Sequence, residues 1–460
     1  MRLLSALFCL VFPFFVHAQS SGKTIEQFTQ GMKAQPGFVS LYYDASSGKV
    51  YGEVSQLNQE ILYYTSLARG IGSNDIGLDR GKLGTEHVVK FEKMGQKLFL
   101  SEPNYAYRAI SNDPLEKKAV EESFAKSVHF AFDIVAQSKT AFLIDLTPFV
   151  LRDAVQAIES ISETNQGSFK IEPSRCAVFE EMTKSFPKNT EIETIITLSG
   201  TKPGRYLQAV VPTPSVVTMH QHHSFVELPD AGFKPREFDP RIGYNGIEFY
   251  DYSSPIHEPI VKKYISRHRL EKKDPTATLS EPVEPIVYYL DPGTPEPIRS
   301  ALFEGATWWN QAFEYAGYKN AFQVKMLPPD ADPMDIRYNL IQWVHRSTRG
   351  WSYGASIIDP RTGEILKGKV TLGSLRVRQD FLIAQGLVGN FSKADTSLSE
   401  MYQMSLDRLK QLSAHEIGHT LGLPHNYISS TKDRASVMDY PHPYVEMKNG
   451  KISLKNAYTL

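Results

Sequence analysis

Cysteine is almost absent: Cys9 and Cys176 are the only two in 460 residues. Cys9 lies in an apolar N-terminal run that reads as a removable leader, so the remaining chain holds one thiol and no disulfide scaffold. An excess of charge of one sign is missing too. Fifty Lys and Arg against 51 Asp and Glu leave a formal charge of -1, without long blocks of like charge. That excludes a nucleic-acid binder built on a basic face. Beyond the leader no stretch approaches the ~20 apolar residues of a membrane-spanning helix, so no stable membrane span is expected. There is no internal repeat. Glycine and proline are near ordinary usage and 41% of residues are apolar, a globular rather than a disordered or fibrous composition. At roughly 100 to 200 residues per domain, this length implies two or three domains.

The leader is Arg2 followed by an almost unbroken apolar run from Leu3 to Val16, closing in Val16-His17-Ala18 before the polar Gln19-Ser20-Ser21-Gly22. This is the pattern of a cleaved signal peptide, 1–18, and predicts a secreted or periplasmic protein. Stability must then come from packing and bound metal.

Residues 38–210 are dominated by short alternating runs, such as Lys49-Val50-Tyr51-Gly52-Glu53-Val54, which predict strands. Helical spacing is briefer, at 116–125 and 149–160. We therefore read 19–265 as a β-rich N-terminal domain. Residues 266–284 are charged and punctuated by prolines without apolar periodicity, which predicts a linker. The rest, 285–460, reads as strand 285–290, a helix that Pro297 starts, strands 322–327 and 336–344, a hairpin-like segment from 355 to 372, and a long helix over 397–421. The expected fold class is α+β.

The long helix ends in His415-Glu416-Ile417-Gly418-His419-Thr420-Leu421-Gly422-Leu423-Pro424-His425. At 3.6 residues per turn His415 and His419 are about 40° apart around the axis and about 6 Å along it, so both imidazoles reach one ion. Glu416 is placed to hydrogen-bond a water on that ion without ligating it. Gly422 lets the chain leave the helix in a left-handed conformation, Pro424 prevents the helix resuming, and His425 is turned back as a third ligand. Three imidazoles leave a fourth position open, as expected for catalytic Zn²⁺.

This extended motif, followed by Ala435-Ser436-Val437-Met438-Asp439-Tyr440, resembles the metzincin metallopeptidases. The resemblance implies a twisted mixed sheet, two long helices and a turn beneath the zinc ligands carried by Met438. It implies a zinc endopeptidase with Glu416 as general base and Tyr440 near the metal, stabilising the oxyanion; a buried tyrosine beside the turn is the plainer reading. It also implies an antiparallel edge strand that binds a protein or peptide substrate, for which Val370, Thr371, Leu372 and Gly373 are the candidates. The whole chain resembles large secreted bacterial zinc metalloproteases whose N-terminal domain has no assigned function, and contact between that domain and the catalytic one is a further expectation. Metzincin domains generally continue into a C-terminal helix, whereas the sequence stops at Leu460 without a stop signal, so a truncated catalytic domain is expected. The rival reading is a secreted binding or scaffolding module that keeps zinc and cleaves nothing, or an inactive truncated protease.

Three weaker patterns remain. His220, His222 and His223 are close enough in sequence to chelate a second metal or to form a polar strand. Pro173-x-Arg175-Cys176 resembles part of the latency segment of matrix metalloproteases, with a buried small hydrophobe as the alternative. Asp330, Asp332 and Asp335 suit either calcium or a turn.

Overall fold

Two of the four sheets among the described residues organise the chain, and His415 and His419 lie on the helix that packs over the five-stranded one. The computed structural model describes residues 23–348, 350–389, 398–440 and 442–458. The leader expected at 1–18 and the chain end at 459–460 lie outside the described residues. The fold is α+β, with the β-rich part N-terminal.

The N-terminal sheet has 13 strands, and all of its pairings are antiparallel. Its spine is the pair Asn189–Thr201 and Val216–Glu227, in register from Asn189 with Val226 to Ser199 with Val216. Alternation puts Leu98, Leu100, Val89, Phe91 and Phe132 on one face, where they bury against Phe149 and Phe225. The helices expected at 116–125 and 149–160 are Pro114–Ser123 and the short pieces Thr147–Val150 and Ala157–Glu163.

The second sheet has five strands in the order Phe322–Met326, Ile286–Leu290, Asn339–Val344, Ile365–Gly373, Tyr353–Ile358. The first four are parallel and the last is antiparallel. This corrects the substrate-strand expectation. Val370, Thr371, Leu372 and Gly373 are in an interior strand, all four paired to Ile341 through Val344 on one side, with Val370 and Thr371 also paired to Gly354 and Tyr353 on the other. Both arms of the hairpin carry apolar alternation, and the arm that finds a parallel partner in Asn339–Val344 goes inside. The antiparallel edge strand is Tyr353–Ile358.

Helix Leu398–Thr420 crosses this sheet. Leu409, Leu412, Ile417 and Leu421 bury against Leu302 and Ala306 of helix Ile298–Thr307 and against Tyr288, Ile341 and Val370 below. Each such leucine is worth about 1.5–3 kcal/mol of burial. The helix started by Pro297 is broken at Trp308 and continues as Trp309–Tyr315. A helix not expected from sequence, Leu375–Val388, packs beside the long one.

The two parts of the chain are in contact. Arg346, with its side chain 2% exposed, donates Nε–H to Asp79 at 2.8 Å and forms an ion pair with the same carboxylate, its Nη2 at 2.7 Å. The Asn189 amide bridges the Met334 carbonyl and the Ile336 amide. Segment 266–284 is hydrogen-bonded along its length: Ser266 to Asn245, Arg267 to Gly363, and Ser280 to Gly317. Its His268 is half-buried against Tyr288, and burial holds its imidazole down at about 4.

Candidate metal centre

The end of the long helix sets the geometry. Leu423 N–H bonds the Gly418 carbonyl and Gly422 N–H bonds the His419 carbonyl, both at 3.0 Å, which is a Schellman closure with Gly422 at φ +97°. A side chain at Gly422 would also run into the Ser266 carbonyl, because the N-terminal part covers this corner and Asn245 N–H bonds the Gly422 carbonyl. The chain reverses, and His425 comes back beside His419.

The three imidazoles converge. Nε2 of His419 lies 3.2 Å from Nε2 of His415 and 3.2 Å from Nε2 of His425. Each ring is held from behind through Nδ1. His415 donates to the Val437 carbonyl and His419 to the Leu423 carbonyl, both at 2.7 Å, and His425 Nδ1 lies 3.0 Å from the Tyr427 hydroxyl. These bonds fix the tautomer so that the Nε2 lone pairs of His415 and His419 point at one spot, the arrangement metal-ligating histidines require. Burial, reinforced by the two neighbouring histidines, pushes His415 down to about 4, and burial lowers His419 and His425 as well. Neutral imidazoles at neutral pH are what a metal needs. The donor set thus fits zinc on its own chemistry.

Glu416 is buried, and burial pushes its carboxyl up to about 7. Arg408, the Gly354 amide and Arg376 pull it the other way. Gly354 belongs to the edge strand, and a Cβ there would lie 2.0 Å from the Glu416 carbonyl oxygen. The edge strand therefore lies directly on the helix at the glutamate. A cleft of about 300 Å³ opens beside His419, lined by Gly354, Ala355 and Ser356 and by Asn245 and Ser266 of the preceding part.

Met438 is buried below the helix, its sulfur against Gly418 and Trp309. Tyr440 is 53% exposed rather than buried, with its ring 4.6 Å from His425 and 5.3 Å from His415. The structure thus gathers His415, Glu416, His419, Gly422, His425, Met438 and Tyr440, and leaves Val370 to Gly373 in the sheet interior. Sequence reading missed Gly354, Tyr427, Arg408 and Arg376. Two carried a local signal: Tyr427, two residues past the third histidine, and Arg408, eight residues before Glu416 on the same helix.

The weaker patterns resolve differently. His220 and His222 both bond Glu193, whose other neighbour is the Arg69 guanidinium at 3.7 Å, while His223 faces away to Tyr63 and the Val150 carbonyl. The Cys176 sulfur contacts the Glu172 and Thr197 carbonyls within the N-terminal core, and none of the three histidines. Asp332 pairs with Lys184 and Asp335 with Arg337, so the aspartates form a paired turn.

Residues 397–460 match a family model described as Met-zincin, and residues 81–273 match one described as a domain of unknown function, DUF5117. Comparison with curated proteins and with solved structures gave no match. The matched C-terminal segment, with its histidine triad, is of the metzincin type, the class of zinc metalloproteases. It follows an N-terminal region whose family has no described function.

Proposed function

We propose that the chain is a secreted zinc-dependent endopeptidase in which Glu416 is the general base. The observation that carries this reading is the convergence of three imidazole Nε2 atoms, flanked by a buried glutamate, under an antiparallel edge strand. Bound zinc supplies Lewis acidity and lowers the pKa of water at the open position.

The protein's own groups do the rest. A peptide substrate adds as a further strand along the edge of Tyr353–Ile358 that has no strand partner among the described residues. Glu416 accepts the proton of the attacking water and returns it to the leaving amine. Its burial near neutral pKa suits both transfers. Tyr440, exposed beside His425, turns its hydroxyl toward the developing oxyanion. Export follows from the leader at 1–18, whose arginine and apolar run support it.

The test is digestion of a mixed-peptide library by the zinc-loaded protein, with a chelator control and zinc re-addition. Cleavage within peptides, abolished by chelation and restored by zinc, is the expected result. Zinc uptake without cleavage of any peptide makes the chain a zinc-holding binding module instead.

A further inference from the structure

Among the described residues two groups of three side chains bring potential ligand atoms within 4.8 Å of one another: the histidine triad, and His87, Glu102 and His129. The second lies in the large N-terminal sheet, on three adjacent strands, His87–Met94, Lys97–Glu102 and Ser127–Gln137. His87 Nδ1 is 3.1 Å from each Glu102 oxygen, and His129 Nε2 is 2.7 Å from Glu102 Oε2. The two rings are 4.8 Å apart, inclined at 64°.

The fold spends local regularity to assemble this group. Leu100 pairs with Phe130 and Ser101 with Val128, so His129 is the extra residue of a β-bulge. Bulges re-aim a side chain, here toward Glu102. Strand alternation places Glu102 at the end of the row Leu98, Leu100, and His87 at the end of the row Val89, Phe91, all four apolar residues being core. Two polar groups thus occupy positions where the face pattern calls for apolar ones, and the bulge brings His129 to them, beside the buried ring of Tyr63 at 6.3 Å from both imidazoles. Polar groups in such a place require a compensating partner.

Ligand atoms about 2.0–2.2 Å from a common tetrahedral ion stand roughly 3.3–3.6 Å apart; the 3.1 Å His87–Glu102 separations approach this, and the 2.7 Å His129–Glu102 separation would open on metal binding. The His87–Glu102 separations also match the 3.2 Å separations of the catalytic triad. Glu102 lies between the two imidazoles, and among the described residues no Lys or Arg is ion-paired with its carboxylate. The similar group of His220, Glu193 and His222 differs on this point, because Arg69 already occupies its open side. Solvent reaches the site: the side chains of His87 and Glu102 are 29% and 28% exposed, and Glu102 lines a cavity of about 480 Å³ with Asn104, Tyr105 and Arg108.

We propose that His87, Glu102 and His129 form a second metal site, in the N-terminal part, for a divalent transition-metal ion of the zinc class with water completing its coordination. Imidazole and carboxylate donors suit that class.

Zinc counting in the full chain tests it. The chelator-stripped protein is titrated with Zn²⁺ by calorimetry, bound metal is measured after gel filtration, and Tm is recorded with and without Zn²⁺. Two equivalents are expected. The His415→Ala/His419→Ala variant should keep one equivalent and a Zn²⁺-dependent rise in Tm. Adding Glu102→Gln, or His129→Asn, to that variant should abolish both. One equivalent in the unaltered protein, with none in His415→Ala/His419→Ala, overturns the proposal. So does an equivalent that survives Glu102→Gln and His129→Asn together. Should those variants fail to fold, the count in the protein with His87, Glu102 and His129 intact still decides.

Discussion

The sulfur of Met438 fills the space that a side chain at Gly418 would take: a Cβ on Gly418 would lie 2.2 Å from Sδ and 2.9 Å from Trp309 Cζ2. The residue before Met438 supplies the carbonyl that holds His415 Nδ1 at 2.7 Å. Steric packing under the helix and orientation of the first ligand are therefore one feature. Gly418→Ala should destabilise the protein by about 1–3 kcal/mol through overpacking and weaken zinc binding with it. Thermal unfolding and zinc titration check this, and adding Met438→Ala should recover part of the loss, as contacting residues couple.

Tyr427 restrains His425 from outside, its hydroxyl 3.0 Å from Nδ1. Removing such a restraint typically weakens metal affinity about 10- to 100-fold. Tyr427→Phe should do so with little change in Tm of the metal-free protein. Competition against a chromogenic chelator measures it.

Asp79 and Arg346 tie the N-terminal part to the edge strand, since Arg346 also donates to the Trp351 carbonyl at 3.0 Å, just before Tyr353. Arg346→Met leaves Asp79 buried without its cation, a loss of about 3–5 kcal/mol. Denaturant unfolding gives the stability change. A rise in KM larger than any fall in kcat would report the displaced edge strand.

Much of this centre is legible in sequence because it is local. His415, Glu416, His419, Gly422 and His425 are set by helical period and one left-handed residue, and Met438 follows within the same stretch. What was not legible is set by tertiary choice. Strands 353–358 and 365–373 look alike as text, and only pairing with Asn339–Val344 decides which is interior. Helix Leu375–Val388 opens with Leu375-Arg376-Val377-Arg378, which alternates like a strand, and its inward stripe of Val377, Phe381, Ala384 and Leu387 is interrupted by buried Asp380, paired with Arg376. Gly354 and Arg376 reach Glu416 from other elements, so no spacing could reveal them. His87, Glu102 and His129 are spread over 43 positions and meet only through strand pairing and a bulge.

Lys367 is buried between the two parts, its ammonium donating to the Pro333 and Asp335 carbonyls. Burial lowers its pKa from 10.5 to about 8, opposed by Glu191, Asp335 and Asp332. The unfolded chain then holds more protons than the folded one between those two values, so this lysine adds stability as pH rises from about 8 to about 10.5. Relative to Lys367→Met, the unaltered protein should gain Tm across that window and show a constant difference below it. Paired melts from pH 7 to 10.5 check the sign.

The most direct measurement is peptide hydrolysis by Glu416→Gln at matched zinc content. The three imidazoles are untouched by this change, so zinc stoichiometry should equal that of the unaltered protein while turnover falls by about 10²- to 10⁴-fold or more, the scale of a lost general base. Full zinc occupancy with unchanged turnover would contradict the assignment of Glu416.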